Sequence, residues 1–164
     1  MKKWIDKSLG YLLIFLLGLM VINVVWQVFS RYVLDSPSSI TEELARYLMI
    51  WLGLLGGAYA IGQRLHLAID LLPQSLTGEK ARWLDAAIYV LVAVFSLLIL
   101  VIGGGNLIYI TLSTDQTSAA LGVPLGYLYL ALPLSGLLTI YYAIAMIVQP
   151  PQPEPLDLYG NLTK

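Results

Sequence analysis

QVFSRYVLDSPSSITEELARYLMIWLGLLGGAYAIGQRLHLAIDLLP, residues 27–73, decides the fold. Arg31, Asp35, Glu42, Glu43 and Arg46 precede an apolar run, and Arg64, His66 and Asp70 follow it. Charges this near a hydrophobic segment are costly unless they are paired, lie at a membrane surface or serve a function. The run from Leu44 to Ile61 reads as a membrane crossing, which makes the flanking charges markers of two surfaces.

The rest of the chain agrees. Of its 164 residues 59% are hydrophobic and 12% charged, against about a quarter charged in a soluble domain, so this is an all-α integral membrane protein. A net charge of −1 without a basic run argues against nucleic acid as a partner. With no cysteine and one histidine, His66, the chain offers no disulfide, no cysteine-ligated metal and no bis-histidine haem.

Four segments are long and apolar enough to span, since a crossing needs about 20 residues. They lie near 9–29, 44–61, 86–109 and 125–148, within a membrane domain over 1–148. The first follows Lys2, Lys3 and Lys7 but continues too far for a cleaved signal and reads as a signal anchor. With the N-terminus inside, Lys2, Lys3, Lys7, Arg64, Lys80, Arg82 and Lys164 all fall on the cytoplasmic side, leaving Arg31 and Arg46 outside. That asymmetry predicts an N-in, C-in topology.

Between spans one and two, Asp35-Ser36-Pro37-Ser38 supplies turn chemistry. Ser39 with Glu42 matches a capping box at the start of helix two, where Glu42 and Glu43 suit the helix dipole. Arg46 lies within reach of both, which predicts a closed charge cluster at the outer surface. Its local role, capping plus an ion pair, is worth about 0.3–1 kcal/mol; the rival role is docking a partner of complementary charge. Within span two Gly53 and Gly57 form a GxxxG, extended by Ala58 and Gly62, for packing inside this subunit or against another.

Residues 67–72, too short to cross, predict a short interfacial helix with Asp70 facing water, ended by Pro73. Thr77 caps a third helix running from about Gly78 to about Tyr109, with Trp83 at the interface. Gly103, Gly104 and Gly105 mark tight packing or local deformability. Span four opens at Pro124 and carries Pro133, which frees a carbonyl and kinks the helix. Tyr127, Tyr129, Tyr141 and Tyr142 read as interface belts, and residues 149–164 as a Pro-rich disordered cytoplasmic tail.

No Asp, Glu, Lys, Arg or His lies in the middle of any span, where a protein that moves ions itself places such groups. Asn23, Ser96, Ser135 and Thr139 read as interhelical hydrogen-bonding residues. His66 reads as a surface residue, with a pH sensor as its alternative. Nothing resembles a catalytic or phosphate-binding motif, and no enzyme is expected. A self-contained small exporter needs a mid-membrane carboxylate, and the anchor of a redox enzyme needs haem ligands; an accessory subunit remains.

The run from Val28 to Pro73 resembles the small membrane subunit (DctQ-like) of tripartite ATP-independent periplasmic, or TRAP, transporters. The resemblance is carried by Arg31, Tyr32, Glu42, Glu43, Leu44, Arg46, Tyr47, His66 and Asp70, and later by Gly122, Pro124 and Pro133 in LGVPLGYLYLALPLSG. It covers about Val24 to Met146. One departure is Ile40, where the family often has a tryptophan. The resemblance implies a bacterial inner-membrane subunit that scaffolds a large multi-helix transport subunit amid membrane lipids. It further implies help in docking a periplasmic substrate-binding protein, for sodium-driven uptake of a C4-dicarboxylate, sialic acid or similar carboxylate. No cofactor is expected in this chain, and the sodium ions are expected in the partner.

Overall fold

A computed structural model describes residues 2–36, 38–63 and 79–148, with residues 79–82 described by backbone alone. Arg64, His66, Asp70, the interfacial helix over 67–72, Pro73, Thr77 and the tail over 149–164 lie outside the described residues. So do the side chains of Lys80 and Arg82.

Four helical spans make up the described chain. The first is α1 (Lys2–Tyr32) and the second α2 (Ser39–Gly62). The third comprises α3 (Glu79–Phe95), a π-helical stretch (Ser96–Gly103) and α4 (Gly104–Ser113). The fourth comprises α5 (Leu125–Tyr129) and α6 (Ala131–Val148). No strand occurs among the described residues; Thr117 and Pro124 form an isolated antiparallel bridge.

The helices stand in a row. α1 packs on α2, α2 on α6, and α6 on α3 and the π stretch. The second and fourth spans are therefore the inner ones, and the fourth is the most buried, its apolar window 39% buried against 6% for the first span. Two small clusters make the core. Leu9, Leu55 and Tyr142 join α1, α2 and α6, and Tyr89, Ala143 and Met146 join α3 to α6.

Small residues permit these approaches. A Cβ on Gly62 would stand 2.6 Å from the Tyr142 ring, and one on Gly104 would stand 2.7 Å from the Leu132 Cβ. Gly104 therefore serves close packing at the site read as tight or deformable. The helix just before it is also irregular, since the Gly104 amide reaches back five residues to the Ile99 carbonyl. Pro133 has no amide to offer the Tyr129 carbonyl, and the fourth span changes from α5 to α6 at Leu130. By contrast, nothing lies within 4 Å of a Cβ placed on Gly53, Gly56 or Gly57. The GxxxG face of α2 is open among the described residues.

Two other expectations need correction. Tyr142 is no belt residue: it is fully buried, and its hydroxyl donates to Asp6 Oδ1 at 2.7 Å, tying the fourth span to the first. Ser135 donates to the Leu132 carbonyl of its own helix, because a hydroxyl on a helix finds a carbonyl one turn back more readily than one on a neighbour. Asn23 does bridge two helices, donating from Nδ2 to the Thr41 carbonyl at 2.8 Å.

Candidate functional site

The described part of the signature residues gathers at one end of the bundle, where α1 turns into α2 and residues 114–124 link spans three and four. α1 leads into a turn in which Asp35 takes the left-handed conformation, φ 48°, one that aspartate tolerates better than most residues. α2 is capped by Ser38, one residue earlier than the expected Ser39. The Ser38 Oγ accepts from the Thr41 amide at 3.4 Å, and the Thr41 hydroxyl donates to the Ser38 carbonyl at 3.0 Å. Glu42 thus falls beyond the capping-box position, and Thr41 occupies it.

This shift separates the two glutamates. Glu42 faces solvent and pairs with Arg46 at 3.6 Å, both side chains more than half exposed. A pair of that kind contributes only about 0.3–0.5 kcal/mol. Glu43 turns the other way and is nearly buried. The single cluster expected from spacing is two structures, because adjacent helical residues point about 100° apart.

The Glu43 carboxylate clamps the far loop. Its Oε1 accepts from the Tyr47 hydroxyl at 2.5 Å, and its Oε2 accepts from the amides of Ala120 at 2.7 Å and Leu121 at 3.1 Å. The loop is built to present those amides. The third span ends in a Schellman motif, with Gln116 donating to Thr111, Asp115 donating to Leu112, and Asp115 left-handed at φ 49°. Ser118 then closes a turn: its amide donates to the Val123 carbonyl, its carbonyl accepts from Gly122, and its Oγ accepts from Leu121. Gly122, at φ +65°, completes that turn. Carboxylate acceptance of backbone amides is a strong, charge-assisted bond, and it joins residues 77 and 78 positions apart.

Beside the clamp a shallow hollow of ≈190 Å³ is lined by Tyr47, Leu121, Val123, Pro124, Leu125, Tyr127 and Leu128. Arg31 and Tyr32 are exposed at the end of α1, so the solvent-facing charges of this corner are Arg31, Asp35, Glu42, Arg46 and Asp115. Among the described residues no group of three His, Cys, Asp or Glu side chains could hold a metal ion.

Sequence reading missed three side chains and two backbone amides. Ser118 and the amides of 120 and 121 carry no pattern that would mark them as partners of a glutamate on another helix. Asp6 stands among lysines, and its neighbours give no hint of a bond to a tyrosine 136 residues away. Asn106, a polar side chain within α4, is exposed on the membrane-facing surface beside the open Gly105. Its signal was an amide inside an apolar run.

This corner and bundle define a class: a small multi-pass helical membrane protein whose polar machinery ties loops together and whose membrane faces are apolar apart from Asn106. Residues 20–151 match the family model of the DctQ component of tripartite ATP-independent periplasmic transporters. A Haemophilus influenzae protein named as a TRAP transporter small permease protein is 31% identical over 145 residues, 88% of each chain. The sialic acid TRAP transporter small permease protein of Vibrio cholerae is 32% identical over 103 residues, 61% of this chain and 59% of that one. The sialic acid TRAP transporter permease protein of Haemophilus influenzae is 34% identical over 82 residues, 50% of this chain but 12% of its own. The chain belongs to the DctQ family and is a TRAP transporter small permease subunit, a multi-pass bacterial membrane protein.

Proposed function

We propose that this subunit lies in the inner membrane with both termini inside, scaffolds a large transport subunit, and helps dock a periplasmic substrate-binding protein. The complex takes up an organic acid, a C4-dicarboxylate, a sialic acid or a similar carboxylate, driven by sodium whose binding sites belong to the large subunit. The observation that carries the reading is the open row of helices. The first span, the third span and the Gly53–Gly57 face of α2 present apolar or small-residue surfaces at membrane depth, the kind that packs against further helices. Supporting it, a relative carries a matching segment as a small part of one long permease chain, and two small permease relatives supply the class of carrier. A sialic acid stands among the candidate substrates because two relatives bear it in their names.

Docking rests on the exposed charges Arg31, Glu42 and Arg46, which project from the corner and make no essential fold contact. Glu43 stands apart from that surface, since it is engaged with the loop. Copurification with a large TRAP membrane subunit, and uptake only when both are reconstituted with the binding protein, are the expected results. Uptake by this chain alone would sink the reading.

A further inference from the structure

A groove of ≈340 Å³ runs along the first turns of α1, lined by Trp4, Ile5, Ser8, Leu9 and Leu12, with Leu138 of α6 as its far wall. All of these but Ser8 are apolar, and Trp4 is 78% exposed. α1 has 31 residues, which at about 1.5 Å each exceeds the roughly 30 Å hydrocarbon core, so its first turns reach head-group level. Lys2, Lys3 and Lys7 stand in those turns. At about 100° per residue Lys2 falls beside the Leu9 edge of the groove and Lys7 beyond the Trp4 edge. Lysine stems lie along apolar surface and carry the charge outward.

These cations lack a carboxylate partner among the described residues. Asp6, the acid in their midst, accepts a hydrogen bond from Tyr142, and the Lys7 ammonium lies 5.9 Å from the centre of the Tyr11 ring. An apolar slot with an exposed tryptophan, flanked by Lys2 and Lys7, fits an amphiphile with an apolar chain and an anionic head. We infer that the groove between Trp4 and Leu138 is a binding site for an anionic phospholipid of the cytoplasmic leaflet, its acyl chain in the groove and its phosphate between Lys2 and Lys7. A zwitterionic lipid would gain the same apolar contact without the charge complementarity. The leaflet rests on the N-in orientation proposed above.

The test uses the full chain carrying Trp26→Phe, Trp51→Phe and Trp83→Phe, so that Trp4 is the sole tryptophan fluorophore, in nanodiscs of phosphatidylcholine. Brominated phosphatidylglycerol should quench Trp4 at about fivefold lower mole fraction than brominated phosphatidylcholine, the gain that one lysine near an anionic head supplies at low salt. Raising salt should shrink the difference. Combined Lys2→Gln, Lys3→Gln and Lys7→Gln should abolish it. Native mass spectrometry of the unaltered chain should show the same head-group preference should the tryptophan variant fail to fold. Equal quenching by the two lipids, no quenching by either, or a preference that survives loss of the lysines would overturn the inference. Cysteine labelling of the loops reports orientation independently, so the leaflet and the site can fail separately.

Discussion

Glu42 and Glu43 are neighbours of the same type with opposite duties. Glu42 sits in solvent on a weak ion pair, whereas Glu43 holds the amides of Ala120 and Leu121 and the hydroxyl of Tyr47. Glu42→Lys should leave the thermal unfolding midpoint of the purified subunit within about a degree, since surface changes of this kind are small. It should nevertheless lower uptake by the complete transporter if the corner docks a partner of complementary charge. Glu43→Lys should lower the midpoint and open the 114–124 loop to protease, because two backbone amides lose their acceptor and a cation replaces it. Equal effects of the two substitutions on stability would mean that Glu43 holds the loop no more than Glu42 does. Reversing both glutamates together would confound docking with folding.

The third span shows how an element can carry two irregularities for one packing purpose. The π-helical stretch ends just before Gly104, and a Cβ on Gly104 would collide with Leu132 and lie 3.2 Å from Pro133 Cδ. Gly104→Ala should therefore cost about 1–3 kcal/mol in a detergent unfolding titration, the usual penalty for overpacking. Gly105→Ala, with nothing within 4 Å of the new methyl group, should be neutral or slightly stabilising, since alanine is the better helix former. The three consecutive glycines are thus unequal, a difference that the run itself conceals. Element positions were legible from hydropathy and punctuation: Asp35 to Ser38 separates spans one and two, and Pro124 opens span four. The π-helical stretch was not, because Ser96 to Gly103 is an ordinary apolar run by composition.

At the scale of the whole molecule, the open row leaves Asn106 exposed on the third span without a side-chain hydrogen bond among the described residues. A lone amide in hydrocarbon is unfavourable, and a neighbouring helix of the large subunit would satisfy it. Asn106→Leu should accordingly leave the isolated subunit folded but reduce the large subunit recovered with it, read by affinity copurification. Unchanged recovery would place the partner on another face. Orientation is testable at the same scale, because the chain has no cysteine: single cysteines at Asp35 and Gln116 should react with an impermeant thiol reagent from outside, and one at Ser75 only from inside.

Hydropathy and charge placement by themselves determined that the chain carries four spans. The residues from Arg31 to Asp70 determined its family, because long apolar runs and short polar punctuation are local signals that survive without neighbours. Tertiary structure decided which glutamate faces the solvent, which glycine is crowded, that Tyr142 is buried against Asp6, and that the spans stand in the order one, two, four, three. These depend on pairs of groups distant in sequence, whose meeting is set by side-chain direction and helix approach. Neither is written into spacing along the chain.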